Sequence, residues 1–342
     1  LPIPVMHDDQ HGTAIISGAG LVNALELAGK SIGDVRIVIS GAGAAAIACA
    51  RLYCALGAKH EHIVMTDSKG VIRASRTDLN EMKREFATKD EGLMTLQEAL
   101  VGADVFVGLS KGGMVTGEMV KTMADRPIIF ALANPTPEIS YEEAKAACPE
   151  VLMSTGRTDY PNQINNVLAF PYIFRGALDT HATAINGEME LAATRAIAAL
   201  AKQPVPGYVC QAYGAKELAF GPEYFIPKPV DRRLIVEVST AVARAAIESG
   251  VARHTITDWE AYREQLMDRL GGSNREIRVL QERARQNPKR VVFPEADLTD
   301  VLKAAQRVYQ EGIAIPVLLG PKEVIQSKME ELGFEADLQI ID

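Results

Sequence analysis

The chain has 342 residues, 47% of them hydrophobic and 23% charged, a globular balance with length enough for two domains and a sizeable core. Its formal net charge of -8 disfavours nucleic acid, which is held by clustered Lys and Arg, and turns the expectation toward small-molecule chemistry. Four scattered cysteines (Cys49, Cys54, Cys148, Cys210) form no C-x-x-C pair, no apolar run is long enough for a membrane span, and no basic leader precedes one, so the expectation is a cytoplasmic chain with reduced thiols and no membrane partner.

The first segment, IPVMHDDQHGTA, sets two acids and two histidines just ahead of a helix. The spacing His7 to His11 is that of a zinc-protease helix, but Pro4 and Val5 argue against a helix there and position 8 is Asp rather than Glu. An extended backbone would turn Asp8 and Asp9 to opposite sides. One acid could then hold a hard cation such as Mg²⁺ or Mn²⁺ while the other steers a cationic side chain; alternatively one simply caps the helix and the other is solvated. A helix follows through Ile15, Leu21, Val22 and Leu25, with Gly29 as its stop.

From Val35 to about Ser154, short β-branched runs alternate with helical segments, the pattern of a parallel sheet with crossover helices. The expected strands are RIVIS, HIVMTD, DVFVGLS, PIIFALAN and VLMST; the expected helices are Ala44 to Leu56, Asp78 to Ala87, Thr116 to Met123 and Tyr141 to Ala147. Asn162 to roughly Arg285 reads as almost wholly helical, and RQNPKR then leads into strand, helix, strand, helix and strand. The fold class expected is therefore α/β: a doubly wound, Rossmann-like parallel sheet with a flanking helical segment, then the start of a second α/β domain. Opening at Leu1 without Met and stopping at LQIID, the sequence reads as a piece of a longer chain.

SGAG occurs at Ser17 and again at Ser40. A dinucleotide turn needs a strand feeding it, glycines where the backbone bends and approaches the pyrophosphate, a helix start aimed at the charge, and an acid after the next strand. The second copy meets these needs with RIVIS feeding Gly41, Gly41 and Gly43 as the G-x-G, Ala46 at the third small position, and Asp67 after HIVMT. The first lies within a continuous helix, where its glycines permit close packing. Asp67 alone would bind a ribose 2′-hydroxyl; Lys69 beside it could reverse the preference toward a 2′-phosphate, with Ser68 adding a hydroxyl, or Lys69 is a solvated turn residue. Asn134, at the carboxyl edge where open sheets bind ligands, carries an amide able to donate to a carboxylate or carboxamide, and Pro135 stops a helix from starting at once.

HDDQHGTA, SGAGAAAIA, TDSKG, ALANPTPE and YPNQINNVLAFP stand in the order that malic enzymes show, across roughly residues 3 to 250. The chain resembles that family, and most nearly its bacterial hybrid members, because PKRVVFPEADLTDVLKAA and IPVLLGPKEVI resemble the opening of a phosphotransacetylase-like domain. On this resemblance residues 1–30 are the end of the malic N-terminal region, 31–285 the NAD(P)-binding malic domain with a helical C-terminal part, and 286–342 the start of the second domain. The resemblance implies oxidative decarboxylation of (S)-malate to pyruvate and CO₂ with NADP, or NAD as the alternative, and Mg²⁺ or Mn²⁺. It makes Asp9 a metal carboxylate and Asp8 its catalytic neighbour beside a lysine base. Gly41 to Ala45 become the pyrophosphate turn; Asn134 and Asn165 lie near the nicotinamide, and Asn134 and Asn166 near the substrate. It also implies a homo-oligomer and acetyl-CoA as a regulator. The family's lysine base, tyrosine acid and other metal carboxylates would precede Leu1, so the chain by itself is expected to be inactive. A non-decarboxylating nicotinamide-dependent dehydrogenase and a regulatory nucleotide or acyl-CoA module are the competing readings.

Overall fold

The structure is a computed structural model that describes residues 3–270, 275–334 and 336–342. The chain divides into two compact units, residues 1–263 and 264–342. The first begins differently from the extended segment expected. Asp8–Gly12 form a π-helical turn that runs straight into α1 (Thr13–Ala28), with the carbonyl of His7 accepting from the amides of Gln10 and His11. Pro4 and Val5 remain outside it, so they forbid nothing at residue 8. Helix α1 ends as expected at Gly29, whose φ of 69° is the left-handed cap that glycine adopts without penalty. Buried on nearly every side, α1 carries the first SGAG where close packing demands it: a Cβ on Gly18 would lie 3.0 Å from Leu52, and one on Gly20 3.0 Å from Ile226.

The sheet follows the expected alternation: β1 (Ile37–Ser40), α2 (Ala44–Leu56), β2 (Ile63–Asp67), β3 (Gly70–Val71), α3 (Glu81–Glu85), α4 (Leu96–Leu100), β4 (Val105–Gly108), α5 (Gly117–Lys121), β5 (Ile128–Ala131), α6 (Tyr141–Ala147) and β6 (Leu152–Thr155). Strand order is β3-β2-β1-β4-β5-β6, parallel except for the short antiparallel β3. Helices cover both faces, so all four residues of β1, β4, β5 and β6 are buried. Alternate residues serve opposite layers: Ile37, Ile39, Val105, Val107, Ile128 and Phe130 join the core containing α1 and α2, whereas Val38, Phe106 and Ile129 join the core of α4, α5 and α6.

Three local differences from expectation have visible causes. DVFVGLS and PIIFALAN stop pairing as strands at Gly108 and Ala131, because the amides of Ser110 and Ala133 turn instead to the carboxylate of Glu138. The helix expected from Asp78 starts at Glu81: Asp78 pairs with Arg76 and Lys69, and Asn80 takes the capping position by accepting from the amide of Lys83. Helix α4 was not expected, although Thr95 and Glu98 form the reciprocal capping box that the T-x-x-E spacing advertises.

After β6 come a short 3₁₀ turn (Asn166–Leu168), α7 (Phe170–Asp179), α8 (Gly187–Ala201), α9 (Gly207–Ala212), α10 (Arg233–Glu248) and α11 (Trp259–Asp268), with α10 packed on α7 and α8. In the second unit, α12 (Arg275–Gln286) precedes β7 (Lys289–Phe293), α13 (Thr299–Gln310), β8 (Ala314–Leu319), α14 (Lys322–Glu331) and β9 (Gln339–Ile341), and the strands form a parallel sheet in the order β7-β8-β9. Among the described residues no helix is long and apolar enough to cross a membrane.

Candidate functional site

Strand β1 runs into Gly41, whose φ is 121° and whose amide donates to the carbonyl of Thr66 at 2.9 Å. A Cβ at Gly41 would meet the carbonyl oxygen of Leu109 at 2.6 Å, so conformation and space both require glycine. Gly43 caps α2 without a side-chain hydrogen bond, and a Cβ there would meet nothing within 4 Å. The first-turn N–H groups of α2, from Ala44 and Ala45 onward, consequently lack intrahelical acceptors and face an open approach, as an anion site requires. Ala42 is half-buried in the turn, and Ala46 is fully buried where helix and sheet pack closely. The turn lies between β1 and β4, where the crossover direction reverses and doubly wound sheets bind ligands.

At the end of β2, Asp67 is not the isolated acid that its sequence context suggests. Arg76 grips it with two nitrogens at 2.9 and 3.0 Å, Lys83 Nζ approaches to 2.8 Å, and the amide of Lys69 donates at 2.9 Å. Burial opposes the charge, but hydrogen bonds from Arg76 and Lys83 prevail and lower the carboxyl from 3.8 to about 2. The Lys69 side chain points elsewhere: its ammonium is 2.8 Å from Asp78 and largely exposed, and Ser68 is exposed beside it. Lys69 is thus a solvated partner of Asp78, while Arg76 and Lys83 carry the charge around Asp67. The exposed pair Lys69–Asp78 is neutral by itself, and around Asp67 two cations (Arg76, Lys83) meet one carboxylate, leaving one net positive charge there. Sequence reasoning passed over Arg76 and Lys83, which lie 9 and 16 residues beyond Asp67 and reach it only through the fold.

The acidic turn packs against α2 and against the 3₁₀ turn at Asn166. There the Asn166 amide donates to the Asp8 carbonyl at 3.1 Å and to its carboxylate at 3.3 Å, and the Thr13 hydroxyl donates to the Asn166 side-chain oxygen at 3.3 Å. Burial raises the Asp8 carboxyl, with Asn166 pulling the other way. Asp8 Oδ1 is buried without a hydrogen-bond partner among the described residues, directly over Gly12, where a Cβ would come within 2.2 Å of it. A buried carboxylate oxygen left bare is costly and suits a cationic partner. Asp9 is exposed. Because the turn is helical, the two carboxylates do not alternate as they would along a strand. Among the described residues no three His, Cys, Asp or Glu side chains converge as a metal cluster.

Asn134 is exposed in the loop after β5, and its side chain lies 3.6 Å from where a Cβ on Gly156, just past β6, would stand. The side-chain oxygen of Asn165 accepts from the amide of Val167 at 3.0 Å, so Asn165 caps the 3₁₀ turn. The structure thus brings Asp8 and Asn166 together and sets Asn134 at the carboxyl edge of the sheet.

A reversing parallel sheet, a glycine turn leading into an uncapped helix and an acid closing the second strand define a Rossmann-type dinucleotide-binding protein. The chain belongs to the malic enzyme family: residues 10–209 match the family described as "Malic enzyme, NAD binding domain". Residues 276–342 match "Phosphate acetyl/butaryl transferase". The chain is 51% identical over 345 residues to an NADP-dependent malic enzyme of Salmonella typhimurium, covering 99% of this chain and 46% of that protein. It is 45% identical over 350 residues to an NAD-dependent malic enzyme of Rhizobium meliloti, covering 100% of this chain and 45% of that one. The chain thus spans about half the length of these curated relatives. Among solved structures, the malic enzyme of Pyrococcus horikoshii aligns with a TM-score of 0.69 and 34% identity, over 81% of this chain and 63% of that one.

Proposed function

We propose that the full-length protein containing this chain oxidatively decarboxylates (S)-malate to pyruvate and CO₂ with reduction of NADP. Family membership and relatives named NADP-dependent malic enzyme support the reaction. The observation that carries the cofactor choice is the pair Arg76 and Lys83 closed on Asp67 at 2.8–3.0 Å. A bare acid there would accept a 2′-hydroxyl and repel a 2′-phosphate, but an acid already neutralised, with one positive charge to spare, favours the phosphate.

In this reading the amides from Gly41 to Ala45 hold the pyrophosphate, and the Asn134 amide donates to the nicotinamide carboxamide or to a substrate carboxylate. Asn165, with its oxygen committed to the cap, keeps its NH₂ for the cofactor; Asn166 orients Asp8 and borders the substrate. The unpartnered Oδ1 of Asp8 would accept a hydrogen bond from a lysine amine, orient it toward the malate hydroxyl and stabilise the ammonium it becomes on taking the proton. Asp9 offers the oxygen donor that a hard cation prefers, and substrate, water and residues elsewhere in the full-length protein would complete the shell. Mg²⁺ or Mn²⁺ bound there would supply Lewis-acid polarisation of the substrate oxygens. A parallel three-stranded sheet and the match over residues 276–342 support a phosphotransacetylase-like second domain; acetyl-CoA as an effector and a homo-oligomeric enzyme belong to the same proposal through the family resemblance alone.

Steady-state kinetics of the full-length protein with malate, Mn²⁺ and each nucleotide test the reading. Replacing Arg76 or Lys83 by Ala is expected to raise KM for NADP by about tenfold or more, the scale of one charge-assisted hydrogen bond, and to leave KM for NAD nearly unchanged. Lys69→Ala should change it by no more than about twofold, as for an exposed ion pair. Turnover that survives removal of all divalent metal points instead to a dehydrogenase without decarboxylation.

A further inference from the structure

The loops after β4 and β5 are joined along their length. Gly113 donates to the carbonyl of Pro137 at 3.0 Å, Val115 donates to the carbonyl of Glu138 at 3.0 Å, and a Cβ on Gly112 would stand 2.5 Å from the carbonyl oxygen of Thr136. Glu138, fully buried, closes the join: its Oε1 accepts from the Ser110 amide at 3.2 Å and its Oε2 from the Ala133 amide at 3.1 Å. The space for its carboxylate exists because residue 108 is glycine; a Cβ there would lie 2.2 Å from the Glu138 carboxyl carbon. Ser110 then reaches the phosphate turn, since its hydroxyl is 2.8 Å from that of Ser40, and the Leu109 amide donates to the Ser40 carbonyl at 2.8 Å.

A buried carboxylate is costly unless it is fully hydrogen-bonded, and a glutamine could present an acceptor to only one of the two amides, setting its NH₂ against the other. We infer that Glu138 is a positioning residue for the nucleotide: one carboxylate clamps the amides of Ser110 and Ala133 and, through the Ser110–Ser40 hydroxyl contact, fixes the phosphate turn and the Asn134 loop in one arrangement. The inference rests on the nucleotide-binding reading above and assigns to that site a residue that touches neither phosphate nor nicotinamide.

The test is calorimetric titration of NADP into the full-length protein together with steady-state kinetics. For Glu138→Gln the dissociation constant and KM for NADP are expected to rise about tenfold, as for loss of one hydrogen bond to a charged group, with kcat at saturating NADP kept within about twofold. A merely structural role would lower the folded, active fraction, so kcat would fall with KM unchanged; that result overturns the inference. Should Glu138→Gln yield no folded protein, Ser110→Ala decides. It keeps the amide that Glu138 grips and removes only the hydroxyl contact to Ser40, so it should weaken NADP about threefold or more. Unchanged affinity in Ser110→Ala overturns the inference. Wild-type protein that takes up neither NADP nor NAD overturns the nucleotide reading and this inference with it; wild-type binding with an unaltered variant overturns this inference alone.

Discussion

Asp67 ties the cofactor choice to acid stability through one carboxyl group. Its folded value of about 2 lies below the ordinary 3.8, so its ion pairs stabilise the fold fully above about pH 4, and that contribution is lost as pH falls toward 2. The shift corresponds to about 2 kcal/mol. Arg76→Ala, which leaves Lys83 in place, should therefore lower urea stability by up to roughly this amount at pH 7, and the difference from wild type should shrink as pH falls through 4 toward 2. Equal differences at both ends of that range would show that the pairing does not persist in solution. The Gly41 turn was legible in sequence because strand, glycine spacing and helix are contiguous. Arg76, Lys83 and Glu138 were not, since no local spacing announces which distant carboxylate or amide each will meet. Lys69 shows the same limit: its ammonium meets Asp78, while the lysine that meets Asp67 is Lys83.

At the scale of elements, α1 shows how a helix buried all round is held in place by polar groups. Asn23 is fully buried, and its amide nitrogen donates to the carbonyls of Ala198 on α8 and Phe225 in the strap before α10, both at 2.9 Å. Arg126 ties down the C-terminal end of the same helix by donating to the carbonyls of Leu27 and Ala28. Asn23→Leu keeps much of the volume and strips donors from two buried carbonyls, so it should cost about 2–4 kcal/mol, read as a lower urea midpoint with unchanged slope. The helix itself was legible from its apolar spacing and its Gly29 stop. Its π-helical lead-in was not, because Pro4 and Val5 set the local bias while packing against α2 and the 3₁₀ turn sets the outcome.

Across the first unit, the two cores on either side of the sheet meet the functional edge at loops tied together by main-chain hydrogen bonds to side chains. Such an edge is the part of a fold that a ligand can stabilise most, because the nucleotide would connect the turn after β1, the end of β2 and the loop after β5. NADP at about a hundred times its dissociation constant adds about 2.7 kcal/mol to the folded state, or about 5–8 °C for a unit of this size. NAD at the same multiple of its own constant should give the same shift, because mass action counts only occupancy. The distinction appears at fixed concentration: in Arg76→Ala, the NADP concentration that shifts wild type by this amount should shift the variant by about half as much or less, about 3–4 °C at most, with the NAD response retained. Equal losses for both nucleotides would mean that Arg76 shapes the whole turn rather than reading a 2′-phosphate. Scanning calorimetry of the full-length protein, with the transition of the first unit followed against each nucleotide, separates these outcomes.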